Sequence, residues 1–167
     1  MSETFEHVAS GPNDHTGETS APSSSLFAAL RAKRDQILTR TLDLPVPGYD
    51  GAIFVRYKPI TQELSTRANE RFEKSRKQPH LGWESNALML AGSVVGVYAL
   101  DEDGKPVLVE DAFGERVAEG FGEKATRALD VVKIVYVNDM AIADAALQLT
   151  EWSGENNEAA VDEFAGN

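Results

Sequence analysis

Side chains that could carry nucleophilic or metal chemistry are scarce in this chain. It contains no cysteine, which excludes disulfides, thiolate nucleophiles and sulfur-ligated zinc. Two of its three histidines, His7 and His15, lie in a segment rich in Ser, Thr, Gly and Pro that offers no rigid scaffold for a metal. The third, His80, follows a proline in a loop, and nothing nearby in the sequence orients it as a base. The sequence therefore predicts no catalytic residue, no metal site and no cofactor.

The densest run of carboxylates is Asp101-Glu102-Asp103-Gly104. A calcium loop needs ligands at alternating positions and a bidentate Glu at its twelfth position, and neither feature is present. The turn of a β-hairpin is the better interpretation. The other carboxylates are scattered, and the phosphate-loop, zinc-protease and nucleophile-elbow motifs are absent. We therefore expect a protein that works by binding and is not an enzyme.

Acidic charge is concentrated at the two ends of the chain. The formal net charge is −11, and residues 1–25 and 155–167 each hold four acids and no Lys or Arg. Residues 26–154 keep 19 acids against 16 bases. Residues 1–25 also lack Ile and Leu. We expect 1–25 to be a disordered N-terminal tail, 26–154 to be a single domain, and 155–167 to be an acidic flexible C-terminal tail.

Charge and hydropathy also limit the partners. An excess of acidic charge repels phosphate backbones, which argues against binding to nucleic acid. No apolar run is long enough to span a bilayer, and the N-terminus has neither the basic region nor the apolar region of a signal peptide. We therefore expect no membrane partner and a location in the cytoplasm.

Residues 125–153 are the most strongly patterned part of the chain. Their apolar side chains recur at spacings of three and four, which predicts two helices that form the densest part of the core. Asn138-Asp139 separates the two, and either side chain can cap the second helix. Ser153-Gly154 is expected to end it, because Gly accepts the left-handed C-cap conformation.

Three further helices are expected. The first begins at Leu26 after a Ser cap, and its basic side is either a solvated face or a docking surface for an acidic partner or for the chain's own acidic ends. The second is a polar helix capped by Thr61, and the third is an apolar helix over Trp83–Val95.

Two short hairpins complete the pattern. β-Branched and aromatic residues at 52–58 indicate a strand that pairs with 44–46, with Phe54, Arg56 and Lys58 on one face.

Residues 97–100 and 106–109 form the second hairpin, and 110–124 is expected to be an irregular polar segment. The predicted fold is α+β and predominantly α-helical, with short β-strands and hairpins between disordered acidic N- and C-terminal tails.

Three pairs of segments follow one another in a distinctive order. Leu44-Pro-Val-Pro-Gly-Tyr-Asp-Gly51 precedes Ile53-Phe-Val-Arg-Tyr57, and Ala91-Gly-Ser-Val-Val-Gly-Val-Tyr98 precedes Leu100-Asp-Glu-Asp-Gly104. The third pair is Asn138-Asp-Met-Ala-Ile142 before Leu149-Thr-Glu-Trp152, which is followed by acidic residues. This succession, over residues 26–167, resembles the tail assembly chaperones of long-tailed siphophages in their short, unextended form. It is most like those of phages that infect actinobacteria.

The resemblance implies a role in viral morphogenesis. Such chaperones bind the phage tape-measure protein and keep it soluble while the tail tube assembles around it, and they are absent from the mature virion. In this family a programmed ribosomal frameshift also makes a longer product, whose added domain recruits the tail-tube protein. The resemblance thus implies the host cytoplasm as the location.

A tape-measure protein is long, helical and apolar, so its chaperone needs exposed apolar grooves between helices. The apolar stripes of Trp83–Val95 and Ile142–Trp152 are the candidates, and burial in the core is the alternative for each residue. The partner-binding residues that we predict are Trp83, Leu88, Val95, Ile142, Leu149 and Trp152. Other classes stay open: a structural virion protein (head–tail connector or tail-tube component) or a small regulatory enzyme subunit. Homo-oligomerisation is also open.

Overall fold

The computed structural model describes residues 24–165, with side chains as far as residue 154. Its elements are α1 Ser24–Thr39, β1 Leu42–Pro45, β2 Ile53–Tyr57, α2 Gln62–Ser75, a 3₁₀ turn Pro79–Leu81, α3 Trp83–Ser93, β3 Val94–Leu100, β4 Pro106–Glu110, α4 Glu115–Gly120, α5 Ala128–Tyr136 and α6 Asp139–Ala165. The predicted fold class is confirmed: the fold is α+β and mostly helical. The predicted N-terminal tail lies outside the described residues, apart from the two serines that begin α1.

The four strands form one antiparallel sheet in the order β1-β2-β3-β4. Leu44 pairs with Val55, and Val55 pairs with Val97, so the alternating residues of neighbouring strands share a face. Gly51 in the β1–β2 connection and Gly104 in the β3–β4 turn have φ angles of 81° and 74°, which side chains with a Cβ rarely adopt. Both predicted hairpins are confirmed.

The core lies between the inner face of the sheet and the helices. From the sheet, Val55, Tyr57 and Val97 are at most 2% exposed. The hydroxyls of Tyr57 and Tyr136 lie 2.7 Å apart and join β2 to α5. The helices add Ala87, Leu90, Val131, Val132, Val135, Ile142, Ala145, Ala146 and Leu149. The prediction that 125–153 forms two helices in the core is confirmed.

A tight reversal joins α5 to α6. Val137 has φ 66° and ψ −40°, and the N–H of Asn138 donates to the carbonyl of Tyr136 at 2.7 Å, which makes a γ-turn. The Asn138 side chain then accepts a hydrogen bond from the N–H of Ala141 at 2.9 Å. Of the two residues that the sequence offers as caps, Asn138 is therefore the N-cap of α6, and Asp139 is its first residue.

The last helix is longer than the sequence suggests. It continues through Gly154 to Ala165, so the predicted end at Ser153-Gly154 is wrong. A helical Gly costs only about 1 kcal/mol relative to Ala, which neighbouring residues can offset. The Ser153 hydroxyl donates to the carbonyl of Leu149 at 2.7 Å and accepts from the N–H of Ile60 at 3.1 Å. It ties α6 to the start of α2 and does not end the helix.

Another predicted boundary moves by two residues. α3 ends at Ser93 because Val94, extended at φ −61° and ψ 138°, already pairs with Tyr57 in the sheet. The predicted helix over Trp83–Val95 is therefore too long at its C-terminal end.

The segment 110–124, predicted to be irregular, contains the short helix α4. The carboxylate of Glu110 accepts a hydrogen bond from the N–H of Val117 at 3.2 Å, which supplies the cap that Gly114 lacks. Phe113 and Val117 are buried. A helix of six residues is too short to show a periodic pattern, which is why the sequence did not reveal it.

Candidate binding surface

The polar groups that drew attention in the sequence have structural roles. The Asp101 side chain accepts hydrogen bonds from the backbone N–H groups of Asp103 and Lys105 at 3.0 and 2.8 Å, so this carboxylate shapes the hairpin turn. His80 is exposed in the 3₁₀ turn. In the part of the chain that the structure describes, no group of three or more His, Cys, Asp or Glu could hold a metal ion.

The buried tyrosine pair has strongly shifted acidity. Burial raises the pKa of Tyr136 to about 12, although the hydrogen bond shared with Tyr57 acts in the opposite direction. Burial and the neighbouring Tyr136 raise the pKa of Tyr57 well above its ordinary value. Both hydroxyls therefore stay protonated at neutral pH and act as a link between the sheet and α5.

Two of the predicted partner-binding residues belong to the core. Ile142 and Leu149 are 0% exposed, because the face of α6 that carries them packs against the rest of the core. They offer no surface to a partner in this structure. For Ile142 and Leu149, the alternative interpretation of the α6 stripe, that it is buried in the core, is the one that the structure supports.

The other four predicted residues are closer to the surface. Trp83, Leu88 and Trp152 are partly buried, and Val95 is 38% exposed. Val95 owes its exposure to a bulge: Arg56 pairs with Gly96 and the next residue of β2 pairs with Val94, which leaves Val95 without a partner across the strands. Trp83 and Trp152 pack against the edge of the core, whereas Val95 lies near the start of β3.

A continuous apolar surface occurs instead on the outer face of the sheet, opposite the core. Phe54, Tyr98 and Leu108 lie side by side across β2, β3 and β4. The rings of Phe54 and Tyr98 are parallel within 2°, with centroids 5.0 Å apart. Leu108 is 50% exposed, and Leu100, two residues beyond Tyr98 on the same strand, is 40% exposed. We call Phe54, Tyr98, Leu100 and Leu108 the outer sheet surface.

A charged pair borders this surface. Arg56 donates two hydrogen bonds to Asp43 across β1 and β2, at 2.7 and 2.8 Å. The guanidinium carbon of Arg56, Cζ, lies 4.9 Å from the centroid of the Tyr98 ring, within the range of a cation–π contact. The paired guanidinium lowers the pKa of Asp43, and the carboxylate raises that of Arg56. This network fixes one side of Tyr98.

The outer sheet surface depends on a glycine. Gly96 faces outward between Arg56 and Tyr98, and a Cβ at this position would come within 2.8 Å of both the Tyr98 ring and Leu108. Tyr98 and Leu108 therefore lie over the bare backbone of Gly96. The absence of a side chain lets the apolar surface lie flat.

A second exposed apolar surface is found on α1. Leu26, Phe27, Leu30 and Leu38 are between 37% and 50% exposed, and α1 has no buried residue. The predicted helix is confirmed, but it begins at Ser24 and not at Leu26, so the serines expected to cap it lie within it. Its apolar residues do not join the core. Isolated helices of this length are only marginally stable in water, so a packing partner would stabilise it.

Sequence reasoning found part of the outer sheet surface. The alternation in 52–58 placed Phe54 and Arg56 on one face, as observed. Tyr98 and Leu108 were missed as members of the same surface, because the strand register that aligns them is a tertiary property. Exposed apolar residues in strands are a further signal, but they are visible only once the helices are placed.

None of the described helices is long and apolar enough to cross a membrane. Comparison of the chain with protein-family models, with curated proteins and with solved structures finds no match.

Proposed function

We propose that this chain is a phage tail assembly chaperone, which binds the tape-measure protein without catalysis and keeps it soluble while the tail tube forms. The observation that carries the proposal is the outer sheet surface, where exposed leucines lie beside a stacked, half-buried aromatic pair and the hydrogen-bonded Arg56–Asp43 pair. An exposed apolar patch with a polar rim is typical of a site that binds another protein.

The outer sheet surface suits one apolar face of a client helix. Fully burying a large apolar side chain yields about 1.5–3 kcal/mol, and Leu100 and Leu108 have roughly half of that left to gain. Such a surface supports a contact that holds the client and still releases it when tube subunits compete. Reversible binding is what a chaperone needs.

The charge of the chain fits the same role. The net charge of −11 keeps copies of the chain apart when many are bound along one long client. We place the complex in the host cytoplasm. Recruitment of the tail-tube protein is assigned to a longer, frameshifted product.

The direct test is co-expression with the tape-measure protein encoded in the same genome. The proposal predicts that the client moves from the pellet to the soluble fraction when this chain is present, and that the two are purified together through an affinity tag on the client. A client that stays insoluble at equal expression would contradict the proposal.

The alternative, a structural virion protein, makes a different prediction about purified particles. If the chain is a chaperone, mass spectrometry of virions should detect abundant tube and capsid peptides but only traces of this chain. Peptides from this chain in stoichiometric amounts would favour the structural role instead.

A further inference from the structure

A groove rich in positive charge lies between α2, α3 and the start of α5. It has a volume of about 280 Å³. Its lining consists of four cationic residues, one acid and two leucines: Arg67, Arg71, Lys74, Arg127, Glu70, Leu88 and Leu129. A cavity of about 470 Å³ adjoins it through Arg127 and adds Lys124 and Lys133 with one acid, Asp130. The lining of these two cavities is therefore positively charged, although the whole chain has a net charge of −11. We call the two together the basic groove.

Part of this positive charge is not neutralised within the described structure. Arg71 Nε lies 2.7 Å from the largely buried carboxylate of Glu84, and Arg127 lies 3.7 Å from Asp130. By contrast, Arg67 and Lys74, one turn to either side of Arg71 on α2, form no ion pair with any residue that the structure describes, and neither does Lys124. These free cations beside two leucines suit an acidic segment that also carries apolar residues.

We propose that the basic groove binds the C-terminal segment, residues 155–167, of a second copy of this chain. That segment has four acids in 13 residues and no Lys or Arg, and it includes Val161 and Phe164. The charge and apolar content of the groove and the segment are therefore complementary. The N-terminal end holds the same number of acids spread over 25 residues, so its charge density is about half as high and it is the poorer match.

The spacing of the charges also agrees. Arg67 and Lys74 are seven residues apart on α2, which is two turns, or about 10 Å. Glu155 and Asp162 are seven residues apart on α6, whose backbone is helical as far as Ala165. Two helices laid side by side would thus bring acids and bases into register at two positions.

The continuity of α6 points to a second copy. Within the described residues α6 packs mainly on α3 and α5, and it continues through Gly154 to Ala165 without a turn that would redirect its last residues. Exchange between two copies is reciprocal, because each supplies one segment and one groove, and such contacts close into a symmetric dimer.

Sedimentation velocity of the full chain over a range of concentrations tests the proposal. We expect a reversible dimer whose dissociation constant rises with salt. Arg67→Glu with Lys74→Glu should weaken it roughly tenfold or more, since two attractive charge pairs become repulsive. Lys58→Glu with Arg116→Glu makes the same change in net charge at exposed sites outside the groove and should leave the constant unchanged. A monomer at all concentrations, or equal effects of the two pairs, would overturn the proposal.

A second set of variants leaves the groove intact and identifies the occupant. Neutralising the C-terminal acids (E155Q, E158Q, D162N and E163Q) should weaken the dimer, whereas neutralising the N-terminal acids (E3Q, E6Q, D14N and E18Q) should not. Adding E155K and D162K, the two positions in register with Arg67 and Lys74, to the chain with the reversed groove should restore association. If the N-terminal set has the larger effect, or the charge swap restores nothing, the C-terminal segment is not the occupant. No client is present here, so the outcome is independent of the chaperone function.

Discussion

The Phe54 and Tyr98 rings lie parallel on the solvent side of the sheet, with their centroids 5.0 Å apart. Aromatic side chains stacked on an open sheet face have little to gain from the chain's own core. They stiffen the surface, because each ring restricts the other and Arg56 packs over Tyr98. A pre-organised apolar surface loses less entropy when a partner binds.

Replacing Gly96 by Ala should disturb this surface. The new Cβ would lie 2.8 Å from both the Tyr98 ring and Leu108, so the ring must move and the stack with Phe54 opens. We expect a loss of about 1–3 kcal/mol in the free energy of unfolding, measured with urea. Gly120→Ala, where a Cβ meets nothing within 4 Å, is the control and should be neutral or slightly stabilising. Equal stability of the two variants would argue against close packing over Gly96.

The buried tyrosine pair predicts a loss of stability at alkaline pH. Both pKa values are raised in the folded state, so the unfolded chain releases these protons first. The stabilisation is complete below pH 10 and falls as the pH rises towards about 12, the pKa of Tyr136. The change amounts to roughly 3 kcal/mol for this residue.

The double variant Tyr57→Phe/Tyr136→Phe removes both titrating groups and should flatten this dependence between pH 10 and pH 12, as measured by urea unfolding. Tyr136→Phe alone should cost about 1–3 kcal/mol at neutral pH, because it leaves the Tyr57 hydroxyl buried without its partner. An unchanged alkaline slope in the double variant would show that other groups cause it.

Two helical glycines should respond in opposite directions to Ala. At Gly92 in α3, a Cβ would meet the Leu64 side chain of α2, so this glycine sets how closely the two helices approach. Gly92→Ala should destabilise by about 1–3 kcal/mol. At Gly154 in α6 the space is open, and Gly154→Ala should stabilise the helix by up to about 1 kcal/mol. Thermal melts followed by circular dichroism compare them, and a destabilising Gly154→Ala would contradict a continuous α6.

The γ-turn between α5 and α6 stores strain at an exposed residue. Val137 is 66% exposed and has a positive φ, which a β-branched side chain strongly disfavours. Val137→Gly relieves this strain at the cost of extra freedom in the unfolded chain, for a net gain of about 1 kcal/mol. Val137→Ala keeps a Cβ and should gain less. A loss of stability on Val137→Gly would mean that the valine makes a contact worth more than its strain.

The sequence predicted the parts of the fold that have local causes. Apolar spacing identified α5 and α6, and the Asn138-Asp139 pair identified where the second begins, with Asn138 as the cap in the structure. Local patterns failed where tertiary contacts determine the structure. Ser153-Gly154 was predicted to end α6, but the Ser153 hydroxyl binds the N–H of Ile60 and the helix continues. Periodicity also cannot distinguish a covered stripe from an open one, which is why buried Ile142 was predicted to contact a partner.

The outer sheet surface is tested most directly by the solubility of the co-expressed tape-measure protein. Leu100→Glu with Leu108→Glu introduces charge into this surface and should return most of the client to the pellet. Met140→Glu with Leu147→Glu makes the same charge change at exposed apolar residues of α6, 72% and 57% exposed, and should keep the client as soluble as the unmodified chain does. If both double variants keep the client soluble, or both fail while folded, the outer sheet surface is not where this chain holds its client.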